Sequence, residues 1–190
     1  MATKIECPTL DDILNGEMCT ENLAGLGEVV YVGIKSELAA PMVATKNVYS
    51  APTFKSGCGL YKFECADETQ GITGGSLGYR KGFKLTFEFA IDAVNKLVAE
   101  TGRALNNLDL FFIVPDGSEF QIMYDPNRKC KADTDGIQTN TGKAAADERQ
   151  TTCSFTLQPV SYPNLYVELT DDAIAKLMHD YVAPSEPDDN

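Results

Sequence analysis

The chain has 190 residues and sets 28 acidic side chains against 16 basic ones, a formal charge of -12. That balance disfavours stable wrapping of nucleic acid by a basic surface. With 43% apolar and 23% charged residues the usage is ordinary for a globular chain, so disorder as the main state is excluded and one domain is expected. The charge is concentrated at the ends: residues 1–28 carry a net of -5, residues 168–190 a net of -6, and the stretch between them is nearly neutral. No apolar run reaches the ~20 residues that cross a bilayer, and Met1–Cys7 lacks the apolar core of a signal peptide, so a soluble, non-secreted protein with reduced thiols is expected.

In chain order, Thr9 caps a short predicted helix, Thr9–Leu14, with Asp11 and Asp12 in its first turn and Gly16 as its stop. Glu28–Ile34 reads as a strand with Val30, Val32 and Ile34 on one face. Residues 35–59 contain Pro41 and Pro52 and show no sustained period, so they are expected to form a long loop with at most a short strand around Asn47–Tyr49. Leu60–Cys65 alternates, with Tyr61, Phe63 and Cys65 inward. Gly71–Gly82 holds five glycines and is expected to be a flexible hairpin or assembly loop. Phe83, Leu85, Phe87 and Phe89 then alternate with polar residues as a half-buried antiparallel strand.

The period next lengthens. Ile91, Val94, Leu97, Val98 and Thr101 predict an amphipathic helix of about three turns that Gly102 terminates. Asp109–Val114 and Glu119–Met123 flank an Asp116-Gly117 hairpin. Residues 125–150 are polar and are expected to be a second long mobile loop. Thr151–Leu157 restores the period of two, Leu165–Leu169 is a short strand, and Thr170 caps a helix presenting Ile174, Leu177, Met178 and Tyr181, with a polar tail beyond Pro184. About seven strands and two or three helices predict a mainly β (α+β) domain. The expected form is an antiparallel sandwich or partly closed barrel with one inserted helix and a C-terminal helix. Its organisation is an arm at 1–24, the β domain at 25–169, and an acidic end at 170–190.

Few residues invite chemistry. The glycine stretch lacks the Gly-Lys-Ser/Thr and following helix of a phosphate loop. Asp133-Thr-Asp135-Gly136 lacks the first and twelfth ligands of a calcium loop, because Lys131 and Gly142 stand there. The six cysteines contain no C-x-x-C pair and the chain has one histidine, His179, so no zinc site is expected. His179 has no nucleophile setting around it and reads as structural. Cys65 and Cys153 fall in phase with apolar strand faces, as small core hydrophobes do. No enzyme activity and no cofactor are expected. The two long irregular segments and charged arms are instead the kind of chain that contacts with other copies order.

The succession Gly25–Val32, the strand-to-helix passage Phe83–Glu100, the hairpin Leu110–Met123 and the run Asp147–Leu157 resembles that of bacteriophage tail tube proteins. The resemblance implies a hexameric ring whose sheets line a DNA channel, with rings stacked through residues 35–59 and the terminal arms. Its partners would be further copies of itself and other virion tail proteins, with double-stranded DNA passing without tight binding and no membrane contact. It would reside in the virion after assembly in the host bacterial cytoplasm. Leu38, Pro41, Met42, Val43, Tyr49, Tyr79, Arg80 and Ile137 are the candidate assembly residues. The acidic C-terminal end departs from the pattern and leaves a tail-completion or capsid-decorating protein as the alternative. A β-sandwich module for carbohydrate or protein is the other, although the chain has no tryptophan to build a sugar platform.

Overall fold

The computed structural model describes Leu26, residues 28–143 and residues 148–182. The predicted helix Thr9–Leu14, the rest of the N-terminal arm and the tail from residue 183 lie outside the described residues. Eleven strands form two sheets: β1 (Val29–Ile34), β2 (Ala44–Thr45), β3 (Val48–Tyr49), β4 (Tyr61–Glu64), β5 (Gly71–Ser76), β6 (Phe83–Ile91), β7 (Leu110–Asp116), β8 (Glu119–Met123), β9 (Lys131–Asn140), β10 (Gln150–Val160) and β11 (Tyr166–Val167). Helix α1 spans Lys96–Asn107 and α2 spans Asp171–Lys176. The larger sheet has seven strands in the order β2-β3-β11-β8-β7-β1-β4, and the smaller has four in the order β5-β6-β10-β9. The sheets share no strand, so the fold is a sandwich-like α+β arrangement and not a closed barrel. Pairing is antiparallel except between β11 and β3.

Strand alternation builds the core. On β1, Val30 and Val32 turn toward the smaller sheet, in register with Phe63, Tyr61 and Phe112. The ring of Phe112 lies 4.7 Å from Phe155, 5.2 Å from Phe87 and 6.1 Å from Phe89, so both sheets meet on one aromatic cluster. Each such ring withdrawn from water stabilises the fold by about 1.5–3 kcal/mol, and each well-placed aromatic pair adds about 0.5–1.5 kcal/mol. The opposite face of the larger sheet is covered as well. Phe111 and Tyr124 there receive Phe54, stacked at 6.3 Å from Phe111, and Tyr49, edge-on at 5.2 Å from Tyr124. Gly33 pairs with Phe111 across the sheet, and a Cβ at Gly33 would overlap the Phe111 ring.

Four expectations are corrected here. Residues 125–150 are not one mobile loop, because β9 occupies ten of them and pairs with β10 over Ile137–Asn140 and again at Lys131–Ala132. An irregularity between these two stretches, with Asp135 at φ 56°, breaks the alternation that would have revealed the strand. Gly71–Gly82 does form a hairpin, as expected, but its first half is strand β5 paired to β6 and only the turn is loop.

The inserted helix begins late: Ile91 stays in the β6 ladder opposite Thr151, Thr151 Oγ1 donates to Ala93 O, and Arg149 donates to Val94 O. Asn95 then caps α1, its Oδ1 accepting from Val98 N at 2.9 Å, and the helix runs through Gly102 to Asn107. Gly102 lies against Ile137, where a Cβ would sit in ordinary contact at 3.6 Å from the Ile137 methyl, so it neither ends nor strains the helix. Finally, α2 ends at Lys176 because the chain turns to bond Leu60. Leu60 N donates to Leu177 O and His179 N donates to Leu60 O, at 2.7 and 3.1 Å. Tyr181 is therefore not part of an apolar helix stripe.

Candidate assembly surface

Residues 35–59 form a strap on the seven-stranded sheet: β2 and β3 extend its edge, and the segments 35–43 and 50–59 on either side of them lie over its outer face. Their apolar side chains are the reason: Leu38, Met42 and Tyr49 are buried and Phe54 is half-buried. Met42 N donates to Tyr124 Oη at 3.3 Å, Lys55 Nζ to Ser36 O at 2.6 Å, and Lys35 Nζ to both Asp125 O and Arg128 O at 2.9 and 2.7 Å. Leu38, Met42 and Tyr49 are thus spent inside the subunit, and among the strap candidates only Pro41 and Val43 remain exposed, Val43 at 72%. Burial, with Asp125 and Tyr124 as smaller causes, raises the Tyr49 hydroxyl to about 12.

Tyr79 and Arg80 occupy the tip of the β5–β6 hairpin. Leu77 N bonds Gly82 O and Lys81 N bonds Gly78 O, closing a turn in which Arg80 has φ 60°. Tyr79 is 85% exposed, and the Arg80 guanidinium lies 5.1 Å from its ring centre. Ile137 is half-buried against α1 and offers little surface. The eight candidates therefore divide into an exposed strap pair, an exposed hairpin pair and four side chains engaged in the fold.

Two features escaped the sequence reading because β9 did. The four-stranded sheet has β5 at one edge and β9 at the other, and among the described residues no further strand pairs with either. Its outward face is polar by register: Thr73, Thr86 and Thr156 align across β5, β6 and β10, followed by Lys84, Glu88 and Ser154 on neighbouring rows. At the β9 end of this face lies a cleft of about 550 Å³ lined by Arg128, Lys129, Lys131, Asp133 and Gln158. Ser154 Oγ donates to Asp133 Oδ2 at 2.8 Å, and Lys129 stands 3.7 Å from Asp109. The face mixes both signs of charge.

Among the described cysteines, Cys65, Cys130 and Cys153 are built into the packing, and His179 packs against Tyr61. Cys58, Cys65, Cys130 and Cys153 are free thiols. Burial raises Cys153 to about 12 and also raises Cys130, while burial raises Cys65 against a smaller opposing hydrogen bond to Gln70. Such thiols stay protonated and are poor nucleophiles. The His179 ring stacks on Tyr61 at 4.4 Å, with Nδ1 3.2 Å from Leu60 O. No protein-family model, curated protein or solved structure matches the chain.

Proposed function

We propose that the chain is a self-assembling structural protein of a phage virion, a tail tube subunit that forms stacked hexameric rings around a DNA channel. The observation that carries this reading is the four-stranded sheet with two open edges and a polar outward face. An open edge is a row of unpaired backbone groups that another strand can join. Placing β9 of one copy beside β5 of the next is a heterologous contact, which generates a ring when the rotation closes. The outward face would then line the channel. Its lysines are interleaved with Glu88 and Asp133, which suits a duplex that slides over a surface lacking a continuous basic track. The hairpin tip at Tyr79-Arg80 and the strap residues Pro41 and Val43 would supply stacking contacts.

Charges on edge strands are the ordinary device against such pairing. Gly75→Lys on β5, where nothing lies within 4 Å of the Cβ position, combined with Thr139→Lys on β9, is expected to leave the fold intact and the protein monomeric. Sedimentation velocity reads this directly. Assembly of the double variant at the same concentration as the parent would overturn the edge-to-edge arrangement.

A further inference from the structure

The edges of the two sheets lie together at each flank of the sandwich. At one flank α1 joins them: Gly102 lies against Ile137 of β9, while Ala104 and Leu108 wall an apolar groove of about 280 Å³ whose other side is Val32, Tyr61 and Phe63, on β1 and the edge strand β4. At the other flank Gly74 of β5 meets Pro163 O, in the link that leads to β11 and so to β3 and the edge strand β2. A neighbour whose β5 joins β9 therefore brings its β2 toward β4. The widths of the sheets agree. Stacked sheets lie about 10 Å apart, so in a ring of six the outer sheet must cover about 10 Å more arc per subunit, and its three additional strands supply about 14 Å.

Height and facing agree as well. Thr45 shares a row with Val48, Tyr166, Gln121 and Val114, and Tyr31 opposite Ile113 sets Val114 level with Val30, whose partner is Phe63. Thr45 and Phe63 thus stand at one height on opposite edges. Tyr49 packs with Tyr124 on the outer face and its partner Ala44 shares that face, so Val43 and Thr45 turn to the inner one, where Phe63 and the groove lie. Strand β2 runs opposite to β4, as β9 runs opposite to β5, so a neighbour's β2 meets β4 in the antiparallel sense. Val43 then falls diagonal to Phe63, a spacing of about 7–8 Å that an aromatic side chain bridges. It is 72% exposed, and Leu108 across the groove is 43% exposed. Among the described residues no strand covers β2 or β4 on its free side.

We propose that Val43 of one copy seats in the groove between β4 and α1 of the next, a second layer of the ring contact that rests on the ring reading above. Val43, offered there to stacking, then belongs to the side of the ring. The test is sedimentation velocity with negative-stain microscopy on the full chain. Val43→Asp and, on the groove wall, Ala104→Glu change exposed positions, and each is expected to raise the concentration at which rings form at least tenfold while the melting temperature stays that of the parent. Rings that form from either variant at the parent's concentration overturn this contact alone, and unstacked single rings from Val43→Asp assign that residue to stacking. If either variant melts early, oxidation of Val43→Cys mixed with Leu108→Cys decides. Covalent dimer at least tenfold more abundant than in either variant by itself is expected, and equal amounts overturn the contact. A parent that stays monomeric at high concentration overturns the ring reading and this contact together.

Discussion

The seven-stranded and four-stranded sheets are built to different ends. The larger is covered on both faces, by the strap segments 35–43 and 50–59 on one side and by the smaller sheet on the other, and its interior strand β7 is buried over Leu110–Val114. The smaller sheet buries one face and leaves the other polar, with β5 and β9 as open edges. The comparison separates stability from association: residues of the large sheet and its strap should govern whether the subunit folds, and residues of the small sheet's edges should govern what it joins.

Phe112→Ala removes the ring on which both sheets meet and should cost about 3–5 kcal/mol in chemical denaturation. A loss near 1 kcal/mol would mean that the sheets are held together elsewhere. Met42→Ala, in a segment that reads as a loop, should cost about 2–5 kcal/mol because it leaves a cavity where the buried Met42 side chain packs into the core. A surface loop would lose no more than about 0.5 kcal/mol. Tyr124→Phe, which removes only the acceptor for Met42 N, should cost about 1 kcal/mol.

Alkaline titration sharpens the same contrast. Tyr49 in the strap is raised from 10.0 to about 12 and Cys153 in the core from 9.0 to about 12, chiefly by burial. The unfolded chain releases these protons first, so their contribution is fully present below pH 9 and is lost between pH 9 and 12. Denaturation midpoints measured across that range should fall steadily, and a flat profile would contradict the burial of both groups. The smallest effect on the fold belongs to the hairpin tip. Tyr79→Ser should leave stability within about 0.5 kcal/mol while weakening assembly, as sedimentation and thermal melting on one sample will show.

How much of this was legible depended on whether a residue's pattern or its partner decided its place. Leu85, Phe87 and Phe89 alternate with Lys84, Thr86 and Glu88 along β6, and Val30 and Val32 fall two apart in a β-prone run, so both strands and their buried faces follow from local pattern alone. The strap does not announce itself, because Leu38, Met42, Tyr49 and Phe54 are irregularly spaced and pack on a sheet face whose Phe111 and Tyr124 are far away in sequence. Strand β9 was hidden for the opposite reason: an edge strand with a bulge and mostly exposed side chains needs no apolar alternation, only a neighbour to bond. The candidate surface inherited both errors. Leu38, Met42 and Tyr49 read as contacts between subunits from the sequence, whereas the strap buries them within one. The open edges, which carry the proposed association, were invisible until β9 had a place in the sheet.

The charge pattern also takes on a more specific meaning. With the acids concentrated in residues 1–28 and 168–190, the sandwich itself is close to neutral, and neighbouring copies can approach edge to edge without strong repulsion. The direct test is negative-stain microscopy of the concentrated full chain, paired with sedimentation velocity on the same sample. Six-fold rings, or tubes of stacked rings, are predicted. A single monomeric species with no rings at high concentration would contradict the account.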